Sequence, residues 1–278
     1  MMTQSVYLVD AVRTPFGKAG SLYAESRADD LIVRAIRGLL ERNPQLPLDR
    51  IDDVAIAAAT QIGDQGLNLG RMAAILAGLP KSVPGYSIDR MCAGALTAVT
   101  TSASSIAFGA ADVVLAGGVE HMGRHPMGEG ADPNPRFVAE KIADQKALVM
   151  GETAENLHDK FPQLTKERCD QFALNSQLKT AKAYSDGNIS KDLIPVAVRH
   201  AEQGWTLATT DEPPRPGTTL DGLTALKTPF RPNGRVTAGN ASGLNDGATI
   251  SMLASEAAIK EFGLPKKAKL VSYAFAGV

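Results

Sequence analysis

Residues 85–109 read GYSIDRMCAGALTAVTTSASSIAFG, and the fold is decided by how they are read. A short apolar run at residues 86–88 stops at Asp89, and Cys92 follows just ahead of a long small-residue segment. Leu96, Val99, Ala103 and Ile106 fall three or four apart, the spacing of one helical face. The other faces carry Ala, Ser and Thr, with no charge between Met91 and Gly109, so the pattern predicts a helix buried on all sides. Cys92 thus stands where a strand hands over to the N-terminus of a buried helix. The N–H groups and positive dipole end at such a terminus stabilise a thiolate and can hold an oxyanion forming beside it. On position alone two readings of Cys92 stay open, a nucleophile or a small buried hydrophobe.

Working outward, residues 6–12 read as a buried strand, broken by Pro15, Gly17 and Gly20. Asp29 and Asp30 open a helix with a one-sided stripe of Leu31, Ile32, Ala35, Ile36, Leu39 and Leu40. Residues 54–59 make a second strand, 68–79 a helix ended by Pro80, and 113–116 a fourth strand ended by Gly117 and Gly118. Alternating buried strands and helices predict an α/β fold, a βαβαβαβ parallel layer. After Glu120 the texture changes. Two helices are expected at residues 153–161 and 166–184, a strand at 193–198, and a proline-rich loop region over 203–239. A fifth strand at 248–254 and a short helix capped by Ser255 restore the α/β pattern, and residues 269–278 begin another strand. The expected division is therefore an α/β domain (1–121 and 245–268), an inserted loop domain (122–244) placed before the fifth strand, and the start of a further domain (269–278).

The 278 residues, 44% hydrophobic, are enough for a substantial core. Lys plus Arg (29) nearly balance Asp plus Glu (30), which speaks against a nucleic-acid or anionic-membrane partner. Cys92 and Cys169 differ so much in context that no disulfide framework is expected. The N-terminus lacks a basic region followed by a long apolar one, and the Leu96 helix is the nearest candidate for a membrane span, weakened by its Ser and Thr residues. A cytoplasmic setting is expected.

No G-x-G-x-x-G follows the first strand, and Gly17-Lys18 lacks the remaining residues of a phosphate-binding loop, so no nucleotide cofactor of the usual kind is implied. His121 and His125 have a metal-like spacing, but Gly123 and Pro126 argue against a helix and no third ligand is evident. No metal is expected, and an exposed loop is the expected place for both. His158 is expected to face solvent, and His200 has no partner in sequence. Cys169 is better explained by helix packing than by reactivity. Gly239, Gly243 and Gly247 recur at four-residue intervals, which suits either close backbone approach to a flat amide-bearing ligand or a tight buried turn.

Five stretches together resemble the thiolases, the acyl-CoA acetyltransferases: VRTPFGKAGS (12–21), DRMCAGALTAV (89–99), AGGVEHMGRHPMG (116–128), VMGETAEN (149–156) and above all TAGNASGLNDGA (237–248). The resemblance runs in order over residues 6–278. It implies a thiolase-like fold in which Cys92 is the catalytic nucleophile that takes the acyl group from coenzyme A, its own N–H facing the oxyanion. It further implies that Arg215 contacts the nucleotide end of coenzyme A, that Phe230, Ala238 and Gly239 line the pantetheine channel, that Ser242 bonds a pantetheine amide, and that Met150 lies near the acyl pocket. Coenzyme A thioesters are substrates in this reading, and no separate cofactor is implied. Val149 stands where short-chain biosynthetic thiolases usually carry histidine, which puts an acetoacetyl-specific enzyme in doubt.

Thiolases add a second α/β domain that supplies an N-E-A-F segment, a G-H-P histidine that deprotonates the nucleophile, and a C-x-G cysteine. These are absent from the 278 residues, so the chain alone is expected to lack full activity, with a separate C-terminal half a possible partner and a homodimer or tetramer the expected assembly. The function expected is reversible acyl-CoA and acetyl-CoA exchange through acyl-Cys92. The alternatives are a non-catalytic acyl-CoA-binding or dimerising module and a ketoacyl-synthase-like condensing enzyme.

Overall fold

The computed structural model describes residues 4–202 and 204–277. In chain order the elements are β1 (Val6–Arg13), β2 (Gly17–Lys18), α1 (Ala28–Arg42), β3 (Asp53–Ala57), α2 (Leu69–Ala77), β4 (Tyr86–Ile88), α3 (Gly94–Phe108) and β5 (Val113–His121). Then come α4 (Arg136–Ala139), α5 (Met150–Lys160), α6 (Lys166–Ser185), β6 (Val196–His200), β7 (Gly204–Ala208), α7 (Leu220–Thr224), β8 (Asn245–Ser255), α8 (Glu256–Phe262) and β9 (Ala268–Lys269). They fall into two compact units, residues 1–129 with 190–212 and 245–278, and residues 130–189 with 213–244. The expected insertion of 122–244 is thus divided. Residues 190–212 group with the sheet unit because Leu193 bridges to Arg13 and Ile194 fills the space over Gly38, where a Cβ would lie 2.7 Å from its side chain.

The first unit is built on a seven-stranded sheet of order β4-β3-β5-β8-β1-β9, with β2 pairing β8. Strand β3 runs parallel to β4 and β5, but β8 is antiparallel to both β5 and β1, so the layer is mixed rather than parallel throughout. His121 ending β5 pairs with Asp246 opening β8. The chain re-enters beside the point it left, which forces the antiparallel direction. The glycines at 117 and 118 do not end β5, which continues to His121. A Cβ at Gly117 would stand 2.0 Å from the Thr249 carbonyl oxygen, so glycine here permits the approach of β8 instead of breaking the strand.

Alternation along the strands sorts the core into two faces. Val54, Ile56, Val113, Leu115, Ile250 and Met252 pack with α1 and α2, while Ala55, Val114, Ala116 and Leu253 meet α3. Helix α1 carries Asp29 and Asp30 in its first turn and Arg42 in its last, matching its dipole. Its stripe is buried apart from Leu40, which is half-buried.

Helix α3 departs from expectation. Ala98, Ala103 and Ile106 are buried, but Leu96 is 65% and Phe108 83% exposed, so only one face is covered. The Cα periodicity was satisfied by small residues on the sheet side, and the larger Leu96 was left outside. The run Met91–Phe108 is the one helical stretch among the described residues apolar and long enough to cross a bilayer by composition. Here it packs on the sheet, and Thr97, Thr100, Ser104 and Ser105 donate their hydroxyls back to carbonyls of the same helix segment.

The strand expected at 193–198 is β6, shifted to Val196–His200, and the expected loop region supplies its antiparallel partner β7, with Arg199 opposite Trp205, and the short helix α7; Gln203 of that region lies outside the described residues. Where another strand was expected from residue 269, only Ala268 and Lys269 pair, with Leu8 and Tyr7. Residues 270–277 form no regular element, they group with the sheet unit, and Val278 lies outside the described residues. The second unit is helical, formed by α4, α5, α6 and α7 with the loop that leads to β8.

Candidate active site

Cys92 sits in a 3-10 turn, Met91–Ala93, that runs without a break into α3. The turn is fixed from its own sequence. Asp89 Oδ1 accepts the Met91 N–H at 2.7 Å, and the Arg90 carbonyl accepts that of Ala93 at 3.0 Å. Met91 has φ of +47°, a left-handed conformation costing a non-glycine residue about 1–2 kcal/mol, which the Asp89 bond offsets. Gly94 brings this helix start against the end of β3, since a Cβ there would lie 2.9 Å from Ala57 Cβ. The thiol is therefore held at the carboxyl ends of the parallel strands β3, β4 and β5, where open α/β sheets carry their ligands. Cys92 is exposed, which excludes the reading of it as a buried hydrophobe. Beside it, the Arg90 guanidinium lies 3.8 Å over the Phe275 ring, and Ser104 Oγ is 2.6 Å from the Tyr273 hydroxyl on the exposed side of α3.

Two histidines expected in an exposed loop are buried. His121, 0% exposed, has Nε2 3.0 Å from the Tyr23 carbonyl, and its Nδ1 accepts the Arg124 N–H. His125 lies between carboxylates, with Nε2 2.5 Å from Asp64 Oδ1 and Nδ1 3.1 Å from Glu129 Oε2. Burial raises the Asp64 carboxyl, but the His125 bond, the Ala28 N–H and Arg124 together bring it below its usual value. Both rings pin residues 121–129 to the sheet unit and neither engages Cys92. The acidic partners, far away in sequence, were not readable from an i,i+4 spacing.

In the helical unit, Met150 opens α5 and is 63% exposed, next to Gly151. A Cβ on Gly151 would lie 2.3 Å from the Phe230 ring, so that ring rests on bare backbone, with Phe230 itself 38% exposed. Gly239 similarly admits Leu223 and Leu226, at 2.4 and 2.5 Å from its absent Cβ, while Ala238 and Ser242 are exposed. Arg215 is exposed on its proline-bracketed loop; its N–H donates to Gln177 Oε1 at 2.8 Å and its carbonyl accepts the Thr218 hydroxyl at 2.7 Å. The backbone is anchored and the guanidinium is left to reach outward.

Sequence reasoning missed the groups that hold the RVTAGN loop. Glu155 Oε1 accepts the N–H groups of Arg235 (2.8 Å) and Val236 (2.9 Å). Asn240 Oδ1 accepts the Thr237 N–H at 2.8 Å, and its amide donates to the Arg235 carbonyl (2.8 Å) and Asp170 Oδ1 (3.0 Å). Asp170 Oδ2 accepts from Lys166 Nζ at 2.6 Å. Arg231 binds Glu152, Asp159 and Asn156, and Arg231 and then Lys146 hold the Glu152 carboxyl below its usual range. Acidic residues on helices facing a polar loop were the available signal; Glu155 lies inside the VMGETAEN stretch.

The α/β unit thus carries an exposed thiol on a strand-to-helix turn, the place of a candidate nucleophile, and the helical unit carries an anchored glycine loop. The thiolase N-terminal domain family matches residues 6–257. The chain is 40% identical over 287 residues to a β-ketoadipyl-CoA thiolase of Acinetobacter baylyi, covering 98% of this chain and 71% of that protein. It is 42% identical over 290 residues to a 3-oxoadipyl-CoA/3-oxo-5,6-dehydrosuberyl-CoA thiolase of Escherichia coli K12, covering 99% and 72%. Human mitochondrial 3-ketoacyl-CoA thiolase superposes with a TM-score of 0.86 at 31% identity, over 97% of this chain and 70% of that one. The chain belongs to the thiolase family, acyl-CoA acetyltransferases with this mixed α/β fold.

Proposed function

We propose that Cys92 is the acyl-accepting nucleophile of a 3-ketoacyl-CoA thiolase. The observation that carries this is the exposed Cys92 thiol on a constrained turn at the strand ends, opening α3. In thiolysis, the Cys92 thiolate attacks the 3-keto carbon and the bond to the next carbon breaks. Acetyl-CoA leaves once that carbanion is protonated, and coenzyme A then takes the acyl group and returns the thiol. Run backwards, the same steps are a Claisen condensation, and covalent capture splits each direction into two easier halves. Dicarboxylic 3-ketoacyl-CoA thioesters are the first substrates to try, since the relatives named above act on 3-oxoadipyl-type thioesters. Arg215, Phe230, Ala238, Gly239, Ser242 and Met150 are assigned to coenzyme A and its acyl chain in this reading.

His121 and His125 are engaged by other groups, which supports a chain that acylates Cys92 slowly and does not turn over by itself. Self-association through the edge strand β4 and the neighbouring exposed Leu67, Met91 and Leu96 fits the same reading, because exposed apolar area of this kind favours a partner. The test is incubation with radiolabelled acyl-CoA followed by peptide mapping, alongside a steady-state thiolysis assay. Label on the Cys92 peptide, absent from Cys92→Ser, is expected. Label elsewhere only would remove Cys92 from the role, and robust turnover by the 278 residues would overturn the dependence on a further histidine.

A further inference from the structure

The helical unit holds a second thiol with its own imidazole and carboxylate. Cys169, expected to be an inert packing residue, lies in the opening part of α6, and its Sγ is 3.7 Å from His158 Nε2 on α5. His158 was expected to face solvent and is 8% exposed. Its Nδ1 is buried without a hydrogen-bond partner and lies 3.5 Å from Glu155 Oε2, one helical turn back. Glu155 is 3% exposed and fixed through its other oxygen by two backbone N–H groups. Thiol, Nε2, Nδ1 and carboxylate therefore follow in the order that a nucleophile, its base and the group orienting that base require, with the looser spacing usual when no ligand is bound. The Arg235 guanidinium, bonded to the His158 carbonyl, closes the cluster from the loop side.

We propose that Cys169, His158 and Glu155 form an acyl-acceptor site separate from Cys92, a place where the chain is S-acylated by acyl thioesters. His158 Nε2 takes the thiol proton, the Cys169 sulfur attacks the thioester carbonyl, the carbon–sulfur bond to the leaving thiol breaks, and the imidazolium returns its proton to that leaving thiolate. One thioester is exchanged for another and no oxidant is needed. Burial first, and then the Asp170 carboxylate, push the Cys169 thiol above its ordinary value, so little thiolate exists unaided and reaction depends on the base. The proposal rests on thiolase membership only for the supply of acyl thioesters.

Since the chain has two cysteines, Cys92→Ser leaves Cys169 as its one thiol. This variant is treated with S-acetyl-N-acetylcysteamine, a thioester without the nucleotide, so that failure of coenzyme A binding or of the Cys92 reading leaves the outcome unaffected. Expected is one hydroxylamine-sensitive acetyl group on Cys169, formed faster in the folded chain than in the same chain unfolded in urea. Adding His158→Gln should slow it roughly tenfold or more, and imidazole should restore part of the rate to a His158→Ala form. No adduct, a faster reaction when unfolded, or a rate indifferent to His158 would each overturn the proposal. If His158→Gln fails to fold, the folded-against-unfolded comparison decides alone.

Discussion

Replacing Glu155 separates its charge from its shape. One carboxylate oxygen, Oε1, accepts both N–H groups, of Arg235 and Val236, in a position 3% exposed. Hydrogen bonds to a charged acceptor contribute about 1.5–3 kcal/mol each, and two sharing one oxygen add less than their sum. Glu155→Ala strands both donors and empties the side-chain volume, so it should destabilise the helical unit by about 3–4 kcal/mol. Glu155→Gln can set its amide oxygen in the same place and should cost about 1 kcal/mol, the difference between charged and neutral acceptors. Urea unfolding followed by intrinsic fluorescence of an added tryptophan in α5 reads this unit directly, and titration of coenzyme A by calorimetry reads the loop. The Ala form should lose affinity as residues 235–240 slacken, and the Gln form should keep most of it. Equal losses in the two variants, or an Ala form within about 0.5 kcal/mol of the parent, the range of an ordinary surface change, would refute the reasoning.

Arg215→Ala should weaken coenzyme A binding by about 1.5–3 kcal/mol with an unchanged thermal midpoint, because the bonds Arg215 makes among the described residues go through its backbone and not its guanidinium; calorimetry and a melting curve check both halves. Gly117→Ala places a methyl 2.0 Å from the Thr249 oxygen inside the sheet and should abolish the soluble folded chain, which expression and circular dichroism would reveal. Asp10, 4% exposed, is raised by burial, but Lys267, the Ala11 N–H, Arg42 and Asn43 bring it below its usual value. A carboxyl depressed in the folded state contributes stability above its unfolded pKa and loses it as pH falls through the folded one. Unfolding midpoints of Asp10→Asn and parent should therefore differ at neutral pH and converge below about pH 4, near the unfolded carboxyl value.

The elements that sequence made legible are those with one-sided patterns. The stripe of α1 and the apolar runs of β3 and β5 state their own burial, and the change from β4 to α3 announced the position of Cys92. What could not be read depended on partners distant in the chain. Gly117 and Gly118 look like a strand end until Thr249 is known to lie beside them. The same holds for His121 and His125, whose burial is created by Asp246, Asp64 and the Tyr23 carbonyl. The direction of β8 followed from where a long insertion returns, which no local pattern records. The loop residues from Arg235 to Asn240 were picked out by composition, yet Glu155 and Asp170 that anchor them carry no signature beyond being acidic residues on helices. Leu96 misled for a simpler reason: helical spacing identifies a face, and on a helix of alanines and serines the sheet takes the flattest face available.

The place of β8 has a consequence for the order in which the molecule can be made. Residues 245–255 lie between β1 and β5 in the sheet, so its centre closes only after residues 122–244 have been synthesised. Until then β1 and β5 share no partner, and each presents a bare row of backbone donors and acceptors. More than a hundred residues, the whole helical unit included, are synthesised during that interval. A nascent chain in this state can add a strand from any neighbour as readily as its own, and long-range pairing of this kind is intrinsically slow. The longer residues 122–244 take to be made, the longer those two edges stay open to pairing with another chain.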